Sequence, residues 1–288
     1  MGWACEQYEL YMRDLGNRPR SIETTVGRLR CMLGAKTKLN RLSTKYLQDC
    51  YNRRRRKVSV DTSRNELAEC KTFMKWAVHQ AYISKGSVKE LEEIQGVGRR
   101  SEGKEQLRIS EARAYISAAL TLSTEQAAGA LCPLLLGLRA SEVIERIGRD
   151  VDDDGRVLWV PRGKTKNARR ALYVPEPLRS MLLKLAIKAG KYGHIFPGRG
   201  DTAHRTRTWL RKLVARVCKK ALVPRVCPHG LRGTHSTLAI ELGETSLAVA
   251  RSLGHGSPRV TERYYVDKRA QQRAKQDRFL TAIAGGRS

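Results

Sequence analysis

The chain has 288 residues, 41% of them apolar, enough for two ordinary domains with buried cores. Its 56 Lys and Arg against 28 Asp and Glu leave a net charge of +28, with 21 basic against 11 acidic in residues 1–100 and 35 against 17 in 101–288. A charge of that size in both halves makes a nucleic-acid backbone the default partner, over a merely soluble surface or ribosome association, and no apolar run reaches membrane-spanning length.

Residues 3–33 read as two helices. Trp3, Tyr8, Tyr11 and Leu15 give the first an apolar face, and Gly16 ends it. Pro19 and Ser21 start the second, with Ile22, Val26, Leu29 and Leu33 on its face. A third runs from about Ser43 through Tyr51 into the basic run Arg53, Arg54, Arg55, Arg56 and Lys57. That run reads either as a contact to a DNA backbone or as a solvated helix end or nuclear-targeting stretch. A fourth helix begins near Asp61 and carries Leu67, Cys70, Phe73, Trp76 and Ala77. Residues 1–91 therefore read as a small helical domain, and 92–107, rich in Gly, Ser and charge, as a linker.

Residues 108–288 read as a second, mixed domain. Ser110 and Glu111 open a helix with Ala114, Tyr115 and Ala118 on one face. Leu131–Leu138 is the most apolar short run, so Arg139 should emerge from the core at its end. The period then changes. Arg156–Pro161 and Arg170–Pro175 look like strands, joined by 162–169 as a β-hairpin. From Glu176 the chain reads helical again, with Gly190–Thr202 as a loop. The fold class is mainly α with a small β-hairpin or sheet.

The residues that carry chemistry are spaced along this second domain. They are Arg139 within Gly137-Leu138-Arg139-Ala140-Ser141-Glu142, His229 and Arg232 within Pro228-His229-Gly230-Leu231-Arg232, His255 within Leu253-Gly254-His255-Gly256-Ser257, and Tyr264 beside Tyr265. Two arginines, two histidines and a tyrosine suffice to break a phosphodiester bond: the phenol oxygen attacks, the planar guanidinium forks hold non-bridging oxygens, and the imidazoles handle protons. Seven cysteines, at 5, 31, 50, 70, 132, 218 and 227, form no Cys-x-x-Cys, and no His or Cys pair has metal-ligand spacing. With no signal-peptide pattern, they read as reduced thiols of a cytoplasmic, nucleoid-associated protein that uses neither metal nor cofactor.

In order and spacing these strings resemble the tyrosine recombinase (phage integrase) family. The resemblance spans nearly the whole chain and is strongest from Arg139 to Tyr265. It implies an N-terminal core-binding domain and an α+β catalytic domain closing on duplex DNA as a clamp, in the Xer- or Cre-like layout without an arm-binding domain. It implies that Arg139 and Arg232 clamp the phosphate, with Glu142 as a buttress behind Arg139. His229 and His255 assist, with His235 a rival for His229. Tyr264, nine residues after His255, is the implied nucleophile, and Tyr265 the neighbour that packs. The leaving-group acid is a hairpin lysine, Lys164 with Lys166 as rival. Where the family commonly has a Trp-Asp-like segment, this chain reads Arg146-Ile147-Gly148-Arg149-Asp150. Four protomers on paired DNA sites are also implied, and the resemblance leaves open whether a partner recombinase or accessory protein takes part. The competing readings are a type IB topoisomerase and a non-cleaving DNA-binding accessory factor.

Overall fold

The computed structural model describes residues 1–101, 103–161, 169–200 and 202–254. Lys164, Lys166, His255, Tyr264 and Tyr265 lie outside the described residues, as does 266–283, whose sequence reads as a C-terminal amphipathic helix. The chain divides into two compact units, Met1–Ser101 and Glu102–Ser288.

In the first unit, α1 (Gly2–Asp14) precedes α2 (Pro19–Leu33), α3 (Thr44–Arg55) and α4 (Val60–His79). Pro19 stands in the first turn of α2, where its missing N–H costs nothing. Ser43 and Ser59 cap α3 and α4 by accepting from the Tyr46 and Thr62 amides. The faces of α2 and α4 bury the residues their periodicity picks out. The face of α1 differs from the sequence expectation. It buries Ala4, Cys5, Tyr8 and Met12, whereas Trp3, Tyr11 and Leu15 are exposed. Ala4 and Cys5 are small enough to bring the helix close to the core. The large aromatics sit at its margin, Trp3 edge-on to Tyr82 and Tyr11 tilted against Trp76.

The basic run at the end of α3 is not uniform. Arg54 turns inward and grips buried Glu66 with two bonds, from Nε at 2.7 Å and Nη2 at 2.8 Å. Arg53, Arg55, Arg56 and Lys57 are exposed. Arg54 is thus a strut of the helical unit rather than a member of a basic surface, because Glu66 buried without it would be an uncompensated charge. Part of the glycine-rich stretch also belongs to this unit. The Val97 amide donates to the Tyr51 hydroxyl, Arg64 donates to the Gly98 carbonyl, and Arg100 donates to Asn65.

The second unit is built around α6 (Thr124–Leu135), in which every residue from Ala127 to Leu134 is buried. A helix apolar on all sides needs neighbours on all sides. They are α5 (Ile109–Leu120), α8 (Leu178–Ala189), α9 (Arg207–Lys220) and α10 (Pro228–Glu241). On α5 the buried residues are Ala112, Tyr115, Ala118 and Ala119, so Ala112 takes the place expected for half-buried Ala114. A short α7 (Ala140–Ile144) follows α6, and α11 (Ser246–Leu253) follows α10. The two expected strands are present as β2 (Val157–Val160) and β3 (Arg170–Tyr173), with a two-residue β1 (Val151–Asp152) added in an antiparallel β1-β2-β3 sheet. The register pairs Val160 with Arg170 and Leu158 with Leu172. Leu158, Val160 and Leu172 are buried, while Trp159 and Tyr173 are exposed. Arg170 therefore shares the inward face of β3 with Leu172.

Residues 146–150, where the family pattern is not followed, form a buried ionic knot. Arg146 donates from Nε to the Glu142 carbonyl at 2.7 Å, and from Nη1 to Asp150 at 2.8 Å and to the Trp159 carbonyl at 3.1 Å. This joins α7 to β2 and keeps Arg146 within the scaffold.

Candidate active site

The site begins at a turn. After α6, Gly137 takes φ +60°, a conformation that favours glycine. A Cβ there would lie 2.5 Å from Leu253 Cδ2 and 2.9 Å from His235 Cδ2, so glycine also allows α11 and α10 to close on the turn. Two residues on, Arg139 is the N-cap of α7. Glu142, at the third helical position, turns back and accepts from the Arg139 amide at 2.9 Å. The string from Gly137 to Glu142 is thus a local folding instruction: turn, cap, reciprocal carboxylate.

That carboxylate is buried, 3% exposed, and gathers three guanidinium groups. Arg139 Nη1 donates to Oε1 at 2.7 Å. Arg170 donates from Nη1 to Oε1 at 3.3 Å and from Nη2 to Oε2 at 3.0 Å. Arg232 Nη1 stands 3.7 Å from Oε2. Burial pushes the Glu142 carboxyl up, but hydrogen bonding and charge from Arg170, then from Arg139, outweigh it and hold the group below its ordinary value.

The same three arginines meet the end of α11. Arg170 Nε donates to the Ser252 carbonyl at 2.6 Å, Arg232 Nη2 to Leu253 at 2.7 Å, and Arg139 Nη2 to Gly254 at 3.5 Å. Three consecutive carbonyls, left without helical partners at a C-terminus, thus receive donors from three different elements. Gly254 closes the helix in the left-handed conformation, and His255 is the next residue in the chain.

The two expected clamp arginines differ in access. The Arg139 side chain is 24% exposed, whereas Arg232 is fully covered and donates to the Gly137 and Leu253 carbonyls. Arg139 is the more accessible of the two, and Arg232 is buried beside the same carboxylate. Arg170 was missed by sequence reasoning. Its one legible signal is inward parity with Leu172 on a strand, and a lone arginine among 56 basic residues does not stand out.

α10 starts with Cys227 as cap and Pro228 in the first turn. His229 follows and opens to solvent. Gly230 is required by a close approach, since a Cβ would lie 2.3 Å from the Glu105 carbonyl. His229 and Arg232, three apart, lie on one side of the helix. Partial burial, then the charges of Arg232, Arg139 and Lys104, hold the His229 imidazole below 6.5, which favours its neutral, proton-accepting form. In an NMR titration of the DNA-free protein His229 is expected to titrate below 6.5, and Lys104→Gln, which removes one positive charge, to move the midpoint upward. A wild-type midpoint above 6.5 would contradict this electrostatic account.

His235 plays a different part from His229. Its Nδ1 lies 2.9 Å from the Leu134 carbonyl, to which a neutral ring donates, and its ring lines the Gly137 turn. His194 and His204 pack on each other with ring centroids 5.0 Å apart.

Comparison with known proteins defines the class. A sequence model of the phage integrase family matches residues 105–272, more than half of the chain. The protein belongs to the phage integrase family, the tyrosine recombinases, enzymes of site-specific recombination that cleave and rejoin DNA. No curated protein sequence matches the chain. Among solved structures it is similar to the Tn1549 transposon integrase in complex with a circular intermediate DNA, at 18% identity and TM-score 0.74, covering 96% of this chain and 99% of that one. It is also similar to a lambda integrase dimer bound to a COC' core site, at 13% identity and TM-score 0.71, covering 93% and 96%. At such identities the likeness shows the fold, here a mainly helical chain with a small antiparallel sheet. Among the described residues no helix is long and apolar enough to cross a membrane.

Proposed function

We propose that this chain is a site-specific recombinase acting through a 3′-phosphotyrosine. Tyr264 attacks the scissile phosphorus as its phenolic proton passes to a histidine, His229 or His255. The bond between phosphorus and the 5′-oxygen breaks as the bond to the tyrosine oxygen forms, and Lys164 protonates the departing 5′-oxygen, with Lys166 as the alternative donor. Arg139 holds the non-bridging oxygens directly, and buried Arg232 adds its charge to the clamp. A 5′-hydroxyl from another strand then displaces the tyrosine, so the covalent link conserves the bond without metal or ATP. Four protomers synapse two DNA sites, exchange strands through a Holliday junction, and integrate or excise a mobile element or resolve a dimer. The sequence from Val266 to Ile283 reads as an amphipathic helix with Phe279, Leu280 and Ile283 on its apolar face, and this segment docks on a neighbouring protomer and helps time cleavage.

The observation that carries this reading is Glu142, which gathers Arg139 and Arg232 at the carbonyls that lead into His255. The test is covalent capture. Duplexes nicked near the cut, drawn from a randomised pool, are incubated with the full chain, and adducts are resolved on a denaturing gel. Wild type is expected to trap a subset of duplexes through their 3′ ends. Tight binding with no adduct would favour a non-cleaving DNA-binding protein.

The basic run enters as a backbone contact. Replacing exposed Arg53, Arg55, Arg56 and Lys57 with Gln should flatten the dependence of log K on log salt by about 0.9 for each phosphate that is no longer neutralised. Arg54→Gln should instead lower the thermal stability of the helical unit, since it strands Glu66. The reverse pattern, read from binding isotherms and melts, would reject the division of roles.

A further inference from the structure

We propose that Arg170 is a positioning residue of the reaction: it ties β3, the carboxylate buttress Glu142 and the end of α11 into one rigid unit. The inference rests on the tyrosine-recombinase mechanism proposed above and adds a residue to it. Arg139 is open enough to turn donors toward a phosphate, and Arg232 is buried beside the same carboxylate. Arg170 stands apart. Its side chain is 8% exposed, its two terminal nitrogens lie on the two Glu142 oxygens, and its Nε reaches the Ser252 carbonyl in the last turn of α11. It thus holds a charge partner on Glu142 that does not depend on what Arg139 does.

The geometry connects both ends of the chemistry. Arg170 is the first residue of β3, directly after the hairpin connection whose sequence contains the candidate acids Lys164 and Lys166. Ser252 lies three residues before His255 and twelve before Tyr264 in the sequence. One guanidinium therefore registers the strand that follows the acid with the helix that precedes the nucleophile. The planar fork is essential to this, because a lysine ammonium cannot span two carboxylate oxygens and a carbonyl in three fixed directions.

Arg170→Gln, Arg170→Lys and wild type, each as the full chain, would be compared by two measurements. The first is hydrogen exchange of the α11 amides without DNA. Arg170→Gln should speed exchange at Val249–Gly254 by at least ~10-fold while the core of α6 stays protected. The second is single-turnover adduct formation on a duplex captured with wild type. The rate at saturating protein should fall at least ~10-fold with DNA affinity unchanged, and Arg170→Lys should recover less than half of the loss on a logarithmic scale. Unchanged exchange in α11 would overturn the proposal whatever the cleavage rate. Weakened DNA binding with an unchanged rate would make Arg170 a DNA contact and likewise overturn it, and full recovery by lysine would reduce its role to charge. If wild type forms no adduct, the recombination mechanism fails, and the exchange experiment still decides whether Arg170 anchors α11.

Discussion

Tyr264→Phe is expected to abolish the covalent protein–DNA adduct completely, and Tyr265→Phe to leave it intact. The phenol oxygen is the atom that would bond to phosphorus, and phenylalanine keeps the ring while removing that atom. DNA affinity should therefore survive. A free phenol titrates near ~10 and is a weak nucleophile at neutral pH, so its competence depends on imidazole acceptors and guanidinium charge close by. His229, whose neutral form is favoured by partial burial and then by the charges of Arg232 and Arg139, is an acceptor of the right kind. An adduct lost only in Tyr265→Phe would move the nucleophile by one residue. An adduct retained in both variants would remove both tyrosines from the reaction.

Glu142→Ala should destabilise the second unit by about 3–5 kcal/mol, the range for breaking a buried ionic cluster by deleting one partner. Arg139, Arg170 and Arg232 would then face one another with the carboxylate gone. Glu142→Gln preserves shape and loses charge, and it should fall between. The acid limb offers an independent check. The folded-state value of Glu142 lies below the ordinary 4.5, so its contribution is fully present above that value and is lost as pH falls through the lowered one. Denaturant unfolding of wild type across this range should show the loss, and Glu142→Gln should lack that component. Equal stability of Glu142→Ala and wild type at neutral pH would sink the account.

The sequence pointed to the candidate residues through their order and family spacing, and the structure shows that the local elements that place several of them are short. A glycine turn, an N-cap and a carboxylate three residues later lie within six positions, and so do the cap, proline, histidine and arginine that open α10. The helices of the first unit were legible in the sequence, since caps and apolar spacing act within a turn or two. The buried face of α1 was not. Periodicity favours the largest apolar residues, whereas packing selected Ala4 and Cys5 for their size and left Trp3 at the margin.

Residue order alone was enough for the class of protein, the succession of chemical groups and the basic character that suits a DNA backbone. How the cations divide their labour emerged only in the folded chain. Arg54 became a strut because α4 carries Glu66 opposite it, twelve residues on. Arg139 remained partly exposed while Arg232 was buried, donating to the Gly137 and Leu253 carbonyls. Arg170 joined the site through partners 28 and 82 residues away. No local pattern encodes such contacts. They depend on the inward parity of β3 and on α11 ending where three guanidinium groups converge, and a buried charge takes its meaning from the neighbours that folding brings to it.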